Sequence, residues 1–441
     1  MGYKKYCVYL QEYTKIIKNM KKNLGKFSVA FHKKELKNGV NLFLFERKGM
    51  PIYLRATFFA GSRFDSVSGT AHFLEHMLVA GTKKFPTKNL IADYIQKIGG
   101  DFGASTDSDL LRFDIEIPEA EDIDIGIEVI SECLTNSLFN DQTIETERGA
   151  IISELRSKKN NPREYIAEVR KRLALQGTPV ARSTLGDEPS IGSITKSAIV
   201  DYQQQFINSG KLCFIASGDI ASDVLANKLD TINIEPGEKF IIGDRLPIIK
   251  NNNIDIEYYE GVDHLQVALV CRTSPKDYVE LCALTLLNNI LAVGRGSRLI
   301  TKLRYENGLV YSVGSNVFNT IDWGTLRVSF SCDKDKLEKI KALIFKEFSD
   351  LRQNNVTSEE LENTKSKISK GSIRPLQTSE AWVDFHENDA LFSPSDFHTA
   401  EDYINTINKL TLVDIKKVIG KHLLEENFYI AICGDYKSNT P

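Results

Sequence analysis

His72-Phe73-Leu74-Glu75-His76 holds residue types at a spacing that could do chemistry. On a helix, His72 and His76 stand one turn apart on one face, so two imidazole nitrogens can share one metal ion. Glu75 lies beside them on that face, where its carboxylate could take a proton from a metal-bound water. The order His-x-x-Glu-His inverts the commoner His-Glu-x-x-His pattern. Gly69-Thr70 reads as a helix start and Gly81 as its stop, with Phe73, Leu74, Met77 and Leu78 as an apolar opposite face. A lone histidine on such a helix is ordinarily a structural one. Only seven histidines occur in the 441 residues, so a chance match has odds of about one in a hundred. Zinc binding is the expectation.

A catalytic zinc takes three protein ligands and leaves one position for water. The third must come from elsewhere in the chain, and a carboxylate is the natural candidate. Residues Ile144 to Arg156 (IETERGAIISELR) read as a helix. Within it Glu147 and Glu154 fall two turns apart on one stripe, with Ala150 and Ile151 between them, while Glu145 points the other way. By themselves these acids read better as an ordinary solvated helix surface.

GTAHFLEHMLVAGTKKFP and, downstream, FNDQTIETERGAIISELR together resemble the pitrilysin family of inverzincin peptidases, which includes insulin-degrading enzyme and mitochondrial processing peptidase. The likeness runs from about residue 30 to 435 and is nearest to the two-domain, processing-peptidase-like branch. It implies that Glu154 is the third zinc ligand beside His72 and His76, and that Glu147 supports the site from behind. The implied activity is zinc-dependent endopeptidase cleavage of peptides or unfolded polypeptide, with Glu75 as general base. No covalent intermediate is required.

The remaining composition fits such an enzyme. A net charge of −3 argues against a nucleic-acid partner. Seven scattered cysteines without a C-x-x-C read as buried free thiols, and no apolar run is long enough to span a membrane. The Lys-rich stretch 1–27 has no Arg and no continuous apolar core, and reads as an N-terminal extension that could form one amphipathic helix. Cytoplasm is the default compartment, with mitochondria the other candidate.

An internal repeat organises the chain. Thr195 opens a helix-like stretch that leads to the strand Cys213-Phe214-Ile215-Ala216 and then Gly218. Thr411 opens a similar one leading to Tyr429-Ile430-Ala431-Ile432 and then Gly434, the same 216 residues further on (411 − 195 and 434 − 218). The expected division is a zinc-bearing domain over 28–234, a linker over 235–253, a degenerate second repeat over 254–436 and a tail over 437–441. The expected fold class is α+β. Each homologous domain is a mostly antiparallel sheet covered by helices, and the two form half of a clamshell chamber.

The second repeat has no histidine in its corresponding helix, around Leu281 to Leu291. The resemblance assigns it Arg304 and Tyr311, seven apart, as groups that reach the substrate; read alone they are a surface charge and a half-buried core residue. Its glycines, Gly294 and Gly296, form no phosphate loop, and no presequence-type specificity is implied. The resemblance also points to Gly99, Gly100, Phe102, Gly103, Ala104 and Ser105 as a substrate-binding edge strand, with Gly103 where the family has Asn. A two-domain chain implies a homodimer, or a heterodimer with a related chain. The competing function is a noncatalytic structural or assembly subunit of a larger complex.

Overall fold

The computed structural model describes residues 20–241, 243–249, 254–320 and 322–437. The helix expected near the N-terminus therefore falls mostly outside the described residues. What is described of it is a strand: Met20–Leu24 (β1) pairs antiparallel with Val29–Glu35 (β2). The first sheet thus begins inside the stretch read as an extension. Lys-rich MKKNL carries no apolar alternation that would mark it as a strand.

The chain folds into two compact units, but not as contiguous blocks. The first unit takes the chain to Leu155, then Arg182–Ile241 and Ile373–Glu401. The second takes Arg156–Ala181, the stretch from the linker to Ser372, and the chain from Asp402. The compact units do not follow the contiguous division expected at 234 and 254: each owns a helix whose sequence neighbours belong to the other. An amphipathic pattern predicts that a helix buries one face, not which sheet it buries it on.

In the first unit, Asn41–Glu46 (β3), Ile52–Phe58 (β4), Asp101–Thr106 (β5), Leu111–Ile117 (β6) and Leu212–Gly218 (β7) join β1 and β2 in the order β1-β2-β3-β7-β4-β6-β5. Only β3–β7 is parallel. Both faces of β3 are covered, which is why Leu42, Phe43, Leu44 and Phe45 form an unbroken apolar run. Leu42 and Leu44 face one core with Phe73 and Met77, while Phe43 and Phe45 face another with Trp382 of helix Ser379–Phe392.

The second unit repeats the plan with Ile254–Tyr258 (β8), His264–Thr273 (β9), Val313–Asn319 (β10), Gly324–Asp333 (β11) and Phe428–Gly434 (β12), ordered β10-β11-β9-β12-β8. Again only one pair, β8–β12, is parallel. Helix Pro162–Ala174 covers its outer face, placing Val169, Leu173 and Ala174 on Ala268, Val270 and Ala431. Both landmarks of the repeat hold. Thr195 and Thr411 each cap a helix through their side chains. Gly218 and Gly434 end equivalent strands at φ 145° and 150°, and a Cβ on either would come within 2.5 Å of its neighbours.

The described cysteines are all buried and unpaired with one another, and burial pushes the Cys133 and Cys271 thiols up to about 12. No described helix is long and apolar enough to cross a membrane.

Candidate metal centre

Helix Thr70–Ala80 forms where its start and stop signals predict, between Gly69 and Gly81. Phe73, Leu74, Met77 and Leu78 are fully buried and fix its rotation, so His72 and His76 share the remaining face. Their ring centroids are 4.8 Å apart at an interplanar angle of 78°. The candidate ligand atoms of His72, Glu75 and His76 all lie within 4.8 Å of one another.

Helix Asp141–Lys159 brings the acids. It is anchored by Ile144, Ile151 and Leu155, which are buried. Ala150, placed on that stripe from sequence, is instead exposed. Arg148 ties the two helices, holding its guanidinium 5.1 Å over the Phe73 ring and donating to Ile194 O at 2.9 Å. Glu145 turns outward to Arg148. Glu154 turns inward: its Oε2 is 3.6 Å from Nε2 of both His72 and His76. Glu147 Oε2 is 2.8 Å from the other nitrogen of His76, Nδ1.

The two separations from Glu154 fit a zinc ion. Bonds of about 2.1 Å at tetrahedral angles put ligand atoms about 3.4 Å apart, close to the observed 3.6 Å. Electrostatics agree. Burial works to lower the His76 pKa, but Glu147, Glu154 and Glu75 outweigh it and raise the value to about 9. The His76 contact in turn holds Glu147 below the usual carboxylate range.

One residue of the site escaped the sequence reading. The helix starts on Gly69 at φ 95°, where no side chain can cap it, and a Cβ there would meet Leu185 O at 3.0 Å. Asp65 does the capping instead, its two oxygens accepting the N–H groups of Gly69 at 2.8 Å and Ala71 at 3.0 Å. It is 2% exposed. Burial pushes its carboxyl up to about 7, against the pull of those N–H groups and of Arg182. Arg182 also donates to the Asp65 carbonyl. An acid four residues ahead of a glycine-started helix was the available signal.

Gly99, at φ 72°, and Gly100 form the turn into β5, which lies at the edge of the first sheet. A Cβ on Gly100 would meet Glu116 O at 2.7 Å, whereas space around Gly103 is open. Phe102 packs partly against the core, 6.2 Å from Phe113, while Ser105 is exposed and Ala104 half-buried. The helix Thr70–Ala80 packs against this strand. Arg304 and Tyr311 belong to the second unit. Arg304 is on a π-helical turn, Thr301–Glu306, with its guanidinium 5.2 Å over the ring of Tyr311, which is 80% exposed.

Two family profiles match consecutive parts of the chain. Residues 53–188 match the one described as Insulinase (Peptidase family M16), and residues 193–368 the one described as Peptidase M16 inactive domain. An uncharacterized zinc protease of Rickettsia felis is 25% identical over 416 residues, which are 88% of this chain and 97% of that protein. The crystal structure of a peptidase M16 inactive domain from Pseudomonas fluorescens is similar with a TM-score of 0.83 at 20% identity, over 93% of this chain and 99% of that one. Pitrilysin is similar with a TM-score of 0.75 at 17% identity; the match covers 96% of this chain and 47% of pitrilysin.

Proposed function

The chain belongs to peptidase family M16, and from that premise we propose that it is a zinc-dependent endopeptidase acting on peptides or unfolded polypeptide segments. The observation that carries the proposal is the placement of Glu154 Oε2 at 3.6 Å from both histidine Nε2 atoms. His72, His76 and Glu154 would hold Zn²⁺. Glu147, against Nδ1 of His76, fixes the tautomer that turns Nε2 toward the metal. When bound, Zn²⁺ supplies Lewis acidity and lowers the pKa of a water to about 7. Glu75 takes the proton as water adds to the scissile carbonyl, then delivers it to the leaving nitrogen. The free edge of β5 would receive the substrate as an added strand through main-chain hydrogen bonds. Arg304 and Tyr311 would grip a substrate carbonyl, the Tyr hydroxyl donating to developing negative charge. Since the chain spans about half of pitrilysin, a second copy or a related chain would complete the enclosure.

The noncatalytic reading is kept in view by the second repeat, which matches a profile described as inactive. Cleavage of a mixed library of unstructured peptides, with zinc assayed on the same protein, separates the two. Wild type should cut and Glu75→Gln should not, while both retain about one zinc per chain. A wild type with neither zinc nor cleavage would sink the enzyme reading. Zinc without cleavage would point to a missing partner chain.

A further inference from the structure

The outer faces of the two sheets are in matching register. Cys213, Thr57 and Arg112 lie side by side on β7, β4 and β6. Tyr429, Val270 and Arg327 lie side by side on β12, β9 and β11. Arg327 therefore takes the place of Arg112. The covering helices match as well: Val383, Glu387, Ala390 and Leu391 have the spacing of Ile166, Arg170, Leu173 and Ala174, and the apolar members of each set pack on their own sheet. Arg170 stands where the first repeat has Glu387.

In the first repeat that pairing is complete. Arg112 Nε is 2.7 and 2.8 Å from the two oxygens of Glu387, and Thr57 donates to the same carboxylate at 3.0 Å. Next to them Arg55 reaches Asp114 at 2.6 Å and Asp384 at 2.7 Å. In the second repeat the acids at those positions are gone, although Asp255 and Glu257 on β8 hold Arg172 of the helix that carries Arg170. Ala268 and Ser329 occupy the register of Arg55 and Asp114. Two guanidiniums of like charge remain, and burial together with Arg327 pushes the Arg170 pKa down to about 10. Neither arginine has an ion pair among the described residues, and Glu168, the nearest acid in sequence, is 3.4 Å from Lys171. Both are half-buried.

We propose that Arg170 and Arg327 form a carboxylate-binding site on the outer face of the second sheet, and that its occupant is an Asp or Glu side chain of another polypeptide. A carboxylate between two guanidiniums accepts charge-assisted hydrogen bonds from both, and the first repeat meets the same need from its own helix. A polypeptide source suits the surroundings. On the same face of β10, Asn316 and Phe318 are exposed, and β10 is the edge strand of its sheet, ready to meet an extended segment.

The test is fluorescence anisotropy of a labelled peptide of alternating Glu and Gly, with full-length Glu75→Gln as the background so that no peptide is cut. Binding should weaken at least tenfold in Arg170→Glu and in Arg327→Gln. Arg170→Glu should also recreate the pairing of the first repeat and raise Tm by roughly 2–4 °C. Should Arg170→Glu fail to fold, Arg327→Gln reads the same site. Equal binding by background and variants, or none by the background, would overturn the proposal. So would competition by free glutamate as effective, per carboxylate, as unlabelled peptide, since that assigns the site to a small ion. None of these readouts depends on zinc or cleavage.

Discussion

Helix Thr70–Ala80 of the first repeat and helix Tyr278–Ala292 of the second both pack on the inner face of a mostly antiparallel sheet with one parallel pair. The first buries Phe73, Leu74, Met77 and Leu78 and spends its other face on His72 and His76. The second buries Leu284, Leu286, Leu287, Ile290 and Leu291 around its circumference and has no histidine at all. On the outer faces the matching positions differ in sign, with acids gathered round Arg55 and Arg112 in one repeat and Arg170 and Arg327 without an ion pair among the described residues in the other. The shared frame is specified by apolar positions at helix and strand periods, and it tolerates either content. Chemistry rides on a few polar positions whose burial needs a partner of opposite charge.

The contrast breaks most completely by removing what only the first repeat owns. Glu154→Gln should lower zinc affinity by more than about a hundredfold, the upper bound for a merely supporting group, and peptide cleavage should fall with it. Competition with a chromogenic chelator measures the first quantity. Zinc held as tightly as in wild type would show that the third ligand is another residue. Next in size is the outer face. Glu387→Gln leaves Arg112 buried without its paired carboxylate, and breaking a buried pair costs about 3–5 kcal/mol. Chemical denaturation would measure it. A loss under about 1 kcal/mol would mean that Asp107, 2.8 Å from Arg112, carries the compensation instead.

How much of this was legible in the sequence follows from what each pattern encodes. The His-x-x-Glu-His helix could be read directly because its spacing, its caps and its apolar face agree. Glu147 and Glu154 could be placed on one stripe, but only resemblance chose Glu154 as the inward acid, since a seven-residue spacing does not say what a helix faces. The repeat was visible from two capping threonines and two strand-ending glycines, each with a local steric reason. The exchange of helices Pro162–Ala174 and Ser379–Phe392 was not, because both carry ordinary amphipathic patterns. Asp65 was missed because its partners are backbone N–H groups across a loop, and the residue at the cap position is a glycine.

Glu147→Gln sharpens the comparison at the level of support. The amide can still accept from Nδ1 of His76 but brings no charge, so zinc affinity or activity should fall by about 10–100-fold. Steady-state kinetics at saturating zinc would separate the two. An unchanged variant would reduce Glu147 to a helix-surface acid of the kind Glu145 is.

The smallest effect is expected at Asp65, and its sign can be worked out. Burial raises its folded-state pKa to about 7, against an unfolded value of about 3.9. Between those two values the folded protein holds a proton that the unfolded chain has released, so the unfolded state binds fewer protons and stability falls as pH rises. Asp65→Asn removes that titration and keeps one oxygen for Gly69 or Ala71. The difference in Tm, wild type minus variant, should therefore decrease from pH 4 to pH 7 and level off above. A difference that grew with pH would mean that the carboxylate is ionised in the folded state throughout, held so by the helix N–H groups and Arg182. Either slope is informative about the metal helix, because the same two oxygens set where it begins and hence where His72 and His76 point.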